Sequence, residues 1–249
     1  MFSRVFWCAL CSLGDACDER TQELSDRLTQ AAGPQKQRAP QIPAHEVVAK
    51  LEAALIENGS DVDLVEFAAA VEQQLYPLEA LGAWTAIAAR EVKSNLHMVM
   101  QSDAVRKAGE APRLREVLEA ERMAGLHRVK PNGTTICANG SAALALVWLS
   151  RFLLLWVDCL SEPRAPTYKE NVMRAYTAHI SPYHTWLLKK AFKVATALVP
   201  SWGEAYDLMS ECDAEGEAGV LREIAALSPI LAVIESTLKE FQMWDDQRV

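Results

Sequence analysis

The sequence predicts an all-α protein with a single helical domain of about eight helices. Two observations support this fold class. Apolar residues recur at helical spacing through most of the chain from Ala44 onward, and no alternating run of β-branched residues bounded by turns interrupts them. Half of the 249 residues are apolar, which is enough for a sizeable hydrophobic core.

The most apolar predicted helix is Ala142–Leu160, which reads AALALVWLSRFLLLWVDCL. An apolar run of this length either spans a membrane or is buried on all sides. Arg151 and Asp158 argue against a membrane span, because a charge at the bilayer centre costs about 2.5–3.5 kcal/mol. We therefore expect a central core helix with other helices packed around it.

The other predicted helices are bounded by turn, cap or proline residues. In chain order they cover 45–57, ended by Asn58-Gly59; 64–75, ended by Pro77; 81–107; 114–123, opened by Pro112; 168–180; 182–199, bounded by Pro182 and Pro200; and 219–243. A loop rich in glycine and asparagine precedes the central helix, which Pro163 and Pro166 close.

The chain is predicted to consist of an N-terminal extension, residues 1–43, and a domain, residues 44–249. The segment 31–43 is rich in Pro, Gln and Ala without periodicity, which is typical of a flexible linker. The expected location is the cytoplasm, peripheral to membranes. A short apolar run after Arg4 leaves secretion, or acylation of Cys8 or Cys11, as alternatives.

Composition and motifs exclude several function classes. The net charge of -8 argues against a nucleic-acid-binding protein, which would carry a basic patch or stripe. Dinucleotide, P-loop, zinc-protease and nucleophile-elbow motifs are absent, so we predict no enzyme activity and no cofactor. Cys137, Cys159 and Cys212 lack metal-ligand spacing and are interpreted as buried or free thiols.

Polar residues within apolar helices are the remaining candidates for a binding site. Glu91 and Asn95 are four residues apart and share a helix face, where they could hydrogen-bond hydroxyl and amide groups of a ligand. The alternative is an ordinary solvated face. Trp148 is either a core residue or a ligand platform, and His184 is either a capping or core histidine or a ligand contact.

Together these residues resemble the glycolipid transfer protein family over roughly residues 44–245. Leu81-Gly82, followed by Glu91 and Asn95, is similar to the family's Leu-Gly pair and its Asp-x-x-x-Asn helix. The stretch 148–151 (Trp-Leu-Ser-Arg) is similar to the family's Trp-Leu-Lys-Arg, and the stretch 183–186 (Tyr-His-Thr-Trp) to its Tyr-His-x-Trp.

The resemblance implies a two-layer helical sandwich that binds one glycosphingolipid and transfers it between membranes without chemical change. The ceramide chains would enter an apolar tunnel. Trp148 would stack on the first sugar ring, and Asn95 would hydrogen-bond sugar hydroxyls. Glu91 would contact the sugar and the ceramide amide, and His184 would bind the amide carbonyl.

The resemblance also assigns residues around the headgroup and at the membrane. Met98 and Arg151 would lie near the headgroup site, and the membrane contact would include Trp186 and Lys190. Trp202, which follows Pro200, is a further candidate for the membrane contact by composition. No metal and no nucleic acid are expected as partners.

Two positions depart from the family pattern. Glu91 replaces the usual Asp, and Met98 replaces a Lys that would donate to the headgroup. The branch that binds a phosphate headgroup carries two Arg four residues apart, at the positions of Leu144 and Trp148 here. Because neither position is Arg here, the glycolipid carrier is favoured, and a ceramide-1-phosphate transfer protein is the first alternative to it. A sphingolipid sensor or presenter is a second, and a ligand-free helical scaffold is a third.

Overall fold

The structure is a computed structural model that describes residues 42–161, 164–211 and 215–245. In these ranges it contains ten α-helices and four very short strands, so the all-α prediction is confirmed. The helices are α1 (Ala44–Ala54), α2 (Leu64–Ala80), α3 (Ala83–Gln101), α4 (Asp103–Ala108), α5 (Leu114–Met123), α6 (Ala142–Leu160), α7 (Tyr168–His179), α8 (Trp186–Ala195), α9 (Trp202–Ser210) and α10 (Gly216–Glu240).

Several of the predictions concern residues outside these described ranges. The predicted extension 1–43 lies almost entirely outside the described residues, as do Cys8, Cys11, Cys17 and Cys212. Cys137 and Cys159 are buried free thiols, as their sequence context indicated.

Helix α6 is the core of the domain. Helices α3, α5, α7 and α10 all pack against it, while α1 contacts α2 and α10. Of the described helices, α6 alone has the length and hydropathy to cross a membrane, and 83% of its apolar stretch is buried within the protein. The packing supports the prediction of a core helix over that of a membrane span.

The N-terminus of α6 is capped by two side chains. Ser141 Oγ accepts a hydrogen bond from the Leu144 N–H at 3.2 Å, and the Glu121 carboxylate accepts from the N–H groups of Ala142 and Ala143. A carboxylate there satisfies donors that the helix cannot satisfy itself and complements the positive end of its dipole. Burial raises the pKa of Glu121, while the two backbone hydrogen bonds oppose that rise. Glu121 thereby fixes α5 against the start of α6.

Helix α2 and the predicted helix 81–107 differ from the prediction for opposite reasons. Helix α2 continues through Pro77 to Ala80, although a proline inside a helix costs about 3 kcal/mol. Pro77 and Leu78 are buried in the core, and this burial offsets the cost. Conversely, the predicted 81–107 helix is two helices, because Ser102 adopts an extended conformation and its Oγ caps α4.

The prediction that the chain has no strand was wrong. Leu55–Ile56 (β1) pairs with Asp61–Val62 (β2), and His127–Val129 (β3) pairs with Thr135–Cys137 (β4), both antiparallel. Asn58 has a positive φ of 57° and lies in the turn between β1 and β2, so α1 ends at Ala54 and not at Asn58-Gly59. Strands of two or three residues are too short for alternation to be visible in the sequence.

The chain between α7 and α10 is more broken than predicted. A 3₁₀ turn, Ser181–Tyr183, precedes α8, and a second, Thr196–Leu198, follows it. Helix α9 was missed by the sequence analysis, although Ser201 and Glu204 form a capping box at its start. Helix α10 begins earlier than predicted and ends at Glu240.

Candidate functional site

An apolar cavity lies between α3, α6, α7 and α8, with Leu78 of α2 at its edge. Its free volume is about 70 Å³, room for no more than a few water molecules. Most of its wall is aliphatic or aromatic, and the titratable side chains that reach it are those of Glu91, Tyr176 and His184. An apolar cavity with a few polar groups is typical of a small-molecule site.

Glu91 and Asn95 lie together on α3, as predicted, and Glu91 forms part of the cavity wall. Asn95 is only 4% exposed, and its Nδ2 donates to the Glu91 backbone carbonyl at 2.8 Å. Burial raises the pKa of Glu91 above its usual range. Within the described residues the Glu91 carboxylate accepts no hydrogen bond and forms no ion pair, so it can accept a hydrogen bond from a bound molecule.

His184 borders the same cavity from the turn before α8. Its Nδ1 lies 3.0 Å from the Tyr176 hydroxyl, while its Nε2 is buried and has no partner among the described residues. Burial, followed by the charge of Lys189, lowers the pKa of His184 to about 4, and burial raises the pKa of Tyr176 to about 12. Both groups are therefore uncharged at neutral pH. When Tyr176 donates to Nδ1, the imidazole proton is on Nε2, which can then donate to a ligand.

Trp148 is next to His184 and is buried more deeply than a sugar platform requires. Its ring is 7% exposed and lies nearly parallel to the His184 ring, with centroids 6.3 Å apart. Tyr183 approaches it edge-on at 6.4 Å, and Phe152 lies at 6.3 Å. A sugar ring could stack on Trp148 only after one of these neighbours moves.

Arg151 is beneath this cluster and is 2% exposed. Its guanidinium carbon lies 3.4 Å from the Tyr183 ring centroid and 5.0 Å from that of Trp148. Burial and the aromatic rings keep the guanidinium from reaching a headgroup at the surface. Met98, the other predicted neighbour, is half-buried on α3 and packs against the core.

The three residues predicted to contact a membrane differ in their surroundings. Trp186 is 67% exposed, and Lys190 Nζ lies 4.1 Å from its ring centroid. Trp202, in contrast, is half-buried, donates its indole N–H to the Ala165 carbonyl at 3.1 Å and stacks with Tyr206. Trp186 and Lys190 form an exposed pair on α8, whereas Trp202 is held within the fold.

Tyr176 is the residue that the sequence analysis missed. Besides its contact with His184, its ring stacks on Phe192 of α8 with centroids 3.6 Å apart and an angle of 7°. Both rings line the cavity, so the stack forms part of its wall between α7 and α8. Nothing in the sequence near Tyr176 distinguishes it from an ordinary core tyrosine.

Trp156, which also lines the cavity, is held by a series of buried hydrogen bonds. The Trp156 indole N–H donates to Gln74 Oε1 at 3.3 Å, and Gln74 Nε2 donates to the Glu223 carboxylate. These hydrogen bonds hold the Trp156 side chain to α2 and, through Gln74, to α10. No group of three or more His, Cys, Asp or Glu in the described ranges could hold a metal ion.

The chain is similar to a known protein family and to several solved structures. The family model described as glycolipid transfer protein (GLTP) matches residues 62–211. A curated relative, Glycolipid transfer protein 3 of Arabidopsis thaliana, is 25% identical over 175 residues, which is 67% of this chain and 70% of the relative.

Solved structures share the fold at lower identity. The apo-form of mouse ceramide-1-phosphate transfer protein superimposes with a TM-score of 0.67 at 18% identity, covering 82% of this chain and 99% of that one. A GLTP-fold structure of FAPP2, which selects simple glycosphingolipids, gives a TM-score of 0.65 at 18% identity over 86% of this chain and 98% of that one. These matches confirm the expected helical sandwich.

Proposed function

The chain belongs to the glycolipid transfer protein family, and on that premise we propose that it carries a glycosphingolipid between membranes. Proteins of this family are lipid transfer proteins and not enzymes. The family match includes Glu91, Asn95, Trp148 and His184, the four residues expected to bind the headgroup and the ceramide amide.

The pair formed by His184 and Glu91 at the cavity is the observation that carries the proposal. A secondary amide has one donor, its N–H, and one acceptor, its carbonyl oxygen. The Nε2 of His184 can donate to the carbonyl, and the carboxylate of Glu91 can accept from the N–H. Both groups are partly or fully desolvated and lack partners within the described part of the chain, so a ceramide amide would satisfy both.

The ceramide chains would account for most of the affinity. Each methylene removed from water contributes about 0.8 kcal/mol. The cavity of about 70 Å³ is too small for a long chain, so side chains must move when lipid enters. The wall formed by α8 is the one expected to yield, because Ala195 is its only buried residue, whereas Trp156 is held by Gln74.

A sugar headgroup fits the surroundings of Trp148 better than a phosphate does. Phosphate recognition relies on charge-assisted hydrogen bonds, usually from Arg or Lys. Arg151 is enclosed by aromatic rings, and the family's headgroup lysine is replaced by Met98. Trp148 offers a flat apolar ring, and Asn95 retains its side-chain oxygen as an acceptor for hydroxyl groups.

Membrane contact is proposed for the exposed face of α8. Trp186 is well placed for the interface, where tryptophan is favoured, and Lys190 beside it would attract anionic lipid headgroups. Trp202 remains a proposed contributor through its edge, although most of it packs against Tyr206.

Lipid binding and transfer by the full chain test the proposal together. Native mass spectrometry of the purified protein should detect a bound glycosphingolipid, and vesicle-to-vesicle transfer should move a fluorescent one. Trp148→Phe is expected to slow transfer about tenfold through loss of stacking area. Phenylalanine is chosen because Trp148 is buried, and an alanine there would cost about 3–5 kcal/mol. Leu146→Val, a small truncation on the same helix but away from the cavity wall, controls for lost stability.

The other outcomes separate the alternatives. Selective transfer of ceramide-1-phosphate would mean that the bound lipid carries a phosphate headgroup and not a sugar. Binding without transfer would indicate a sensor or presenter. A protein that neither binds nor transfers any sphingolipid would be a scaffold, and the proposal would be wrong.

A further inference from the structure

The C-terminal segment after α10, residues 241–245, is hydrogen-bonded to the β3–β4 hairpin. The Asp245 carboxylate accepts a hydrogen bond from the Cys137 N–H at 2.8 Å, and the Cys137 thiol donates to the Met243 carbonyl at 3.2 Å. The Met243 N–H donates to Leu238 of α10 at 2.7 Å. Met243 and Asp245 are both buried, so this segment is part of the folded core.

Arg151 connects this segment to the candidate site. Its guanidinium donates to the Asp245 carbonyl and lies 5.2 Å from the Trp244 ring centroid. On the other side it lies 3.4 Å from the centroid of Tyr183, the residue immediately before His184. Cation–π contacts are strongest when desolvated, and Arg151 is almost completely buried.

From this arrangement we infer that Arg151 is a positioning residue, which holds the Tyr183–His184 turn in place by fixing it to the C-terminal segment. The turn is otherwise supported by few buried groups, since none of Ser181, Pro182 and Tyr183 is buried. The Tyr183 ring rests on Arg151, and this contact sets the position of the His184 imidazole against Trp148. The inference rests on the proposed function only in so far as His184 contacts the lipid.

The direct test follows the His184 ring by NMR in the full chain without lipid. In Arg151→Met the turn should loosen and expose the imidazole, so the pKa of His184 should rise from about 4 toward its ordinary 6.5. Glycolipid transfer should fall about tenfold in the same variant. Arg151→Lys keeps a cation near Tyr183 and should restore part of both properties.

Arg164→Met is the matched control. Arg164 also lies over two aromatic rings, at 5.3 Å from the Trp202 centroid and 5.0 Å from that of Tyr206, and these rings belong to another part of the fold. Its replacement should leave the His184 titration unchanged. If both arginine variants shift His184 equally, the effect is general loosening and the inference fails.

Tyr183→Leu removes the same contact from its other side and serves as the second test if Arg151→Met does not fold. Tyr183 is half-exposed, so this variant should fold, and it should reproduce the change at His184. In a folded double variant, Arg151→Met should add no further change, because the two residues act through one contact. An unchanged His184 titration in Tyr183→Leu would overturn the inference. A wild-type chain that transfers no lipid, while His184 still responds to Arg151→Met, would instead contradict the proposed function.

Discussion

The Tyr176 hydroxyl lies 3.0 Å from Nδ1 of His184. A tyrosine whose ring lies in the apolar wall of the cavity therefore also supports the cavity's histidine. The same tyrosine stacks on Phe192 of α8, so a lipid chain that separates the two rings also changes the support of the imidazole. His184 therefore couples the apolar and polar parts of the site.

Stability should depend on pH through His184. Its pKa is about 4 in the folded protein and should return to about 6.5 on unfolding, so protonation favours the unfolded state. The contribution of His184 is complete above about pH 6.5 and should be lost progressively as the pH falls toward 4, by about 3 kcal/mol in total. Denaturant unfolding of wild type and His184→Gln across this range would measure the difference. His97→Gln, on the exposed face of α3, should behave like wild type.

Lipid affinity should fall in acid through Glu91. Burial raises the pKa of this carboxyl, and a ligand N–H donated to the carboxylate would favour its charged form. Affinity should therefore be highest above the pKa of Glu91 in the free protein and decrease as the pH falls through it. Tryptophan fluorescence titrations with short-chain glycolipid would follow this, and Glu91→Gln should lose the dependence. Glu72→Gln, on the exposed surface of α2, is the control, and equal pH profiles in all three proteins would exclude Glu91 as the acceptor.

Met98→Lys should strengthen binding of sugar-bearing lipids. Met98 is half-buried, so a lysine there can keep its ammonium at the surface while its stem packs as the methionine does. A charged donor to a sugar hydroxyl should improve affinity roughly tenfold. Competition binding would measure this, with Met100→Lys as the control because Met100 lies on the groove between α2 and α3. Reduced or equal affinity would mean that Met98 faces away from the headgroup.

Trp186→Ala should weaken vesicle binding with little effect on stability. The side chain is 67% exposed, so its removal leaves no cavity, but it loses apolar area that would enter the membrane interface. Vesicle sedimentation should show a decrease of about threefold or more. Met123→Ala, 81% exposed on α5, removes a similarly accessible side chain and should not affect binding. A loss that is the same in both variants would argue against α8 as the contact surface.

The sequence predicted the helices with clear periodicity and clear boundaries. Helices α5 and α6 begin and end at the predicted residues. Pro112 precedes α5, and α6 lies between a loop rich in glycine and asparagine and the residues Pro163 and Pro166. Pro77 and Ser102 misled the prediction for opposite reasons. Burial carries α2 through a proline, whereas α3 ends at a serine whose conformation depends on the capping of α4.

The sequence analysis named Glu91 and His184, which line the cavity, but it did not predict how the cavity is enclosed. Spacing placed Glu91 and Asn95 on one face of α3, and the resemblance brought them together with Trp148 and His184. The burial of Trp148, the contact between Tyr176 and His184 and the stacking of Tyr183 on Arg151 arise from residues distant in sequence. No local pattern encodes such contacts.

The burial of α6 also has a consequence for the synthesis of the chain. Helices α1 to α5 leave the ribosome first, but α7 and α10, which cover the rest of α6, follow it. The most hydrophobic segment therefore stays partly uncovered until translation is nearly complete, a state prone to aggregation. Chaperone binding is expected to concentrate on this segment, and premature termination before α10 should yield insoluble protein and not a smaller lipid carrier.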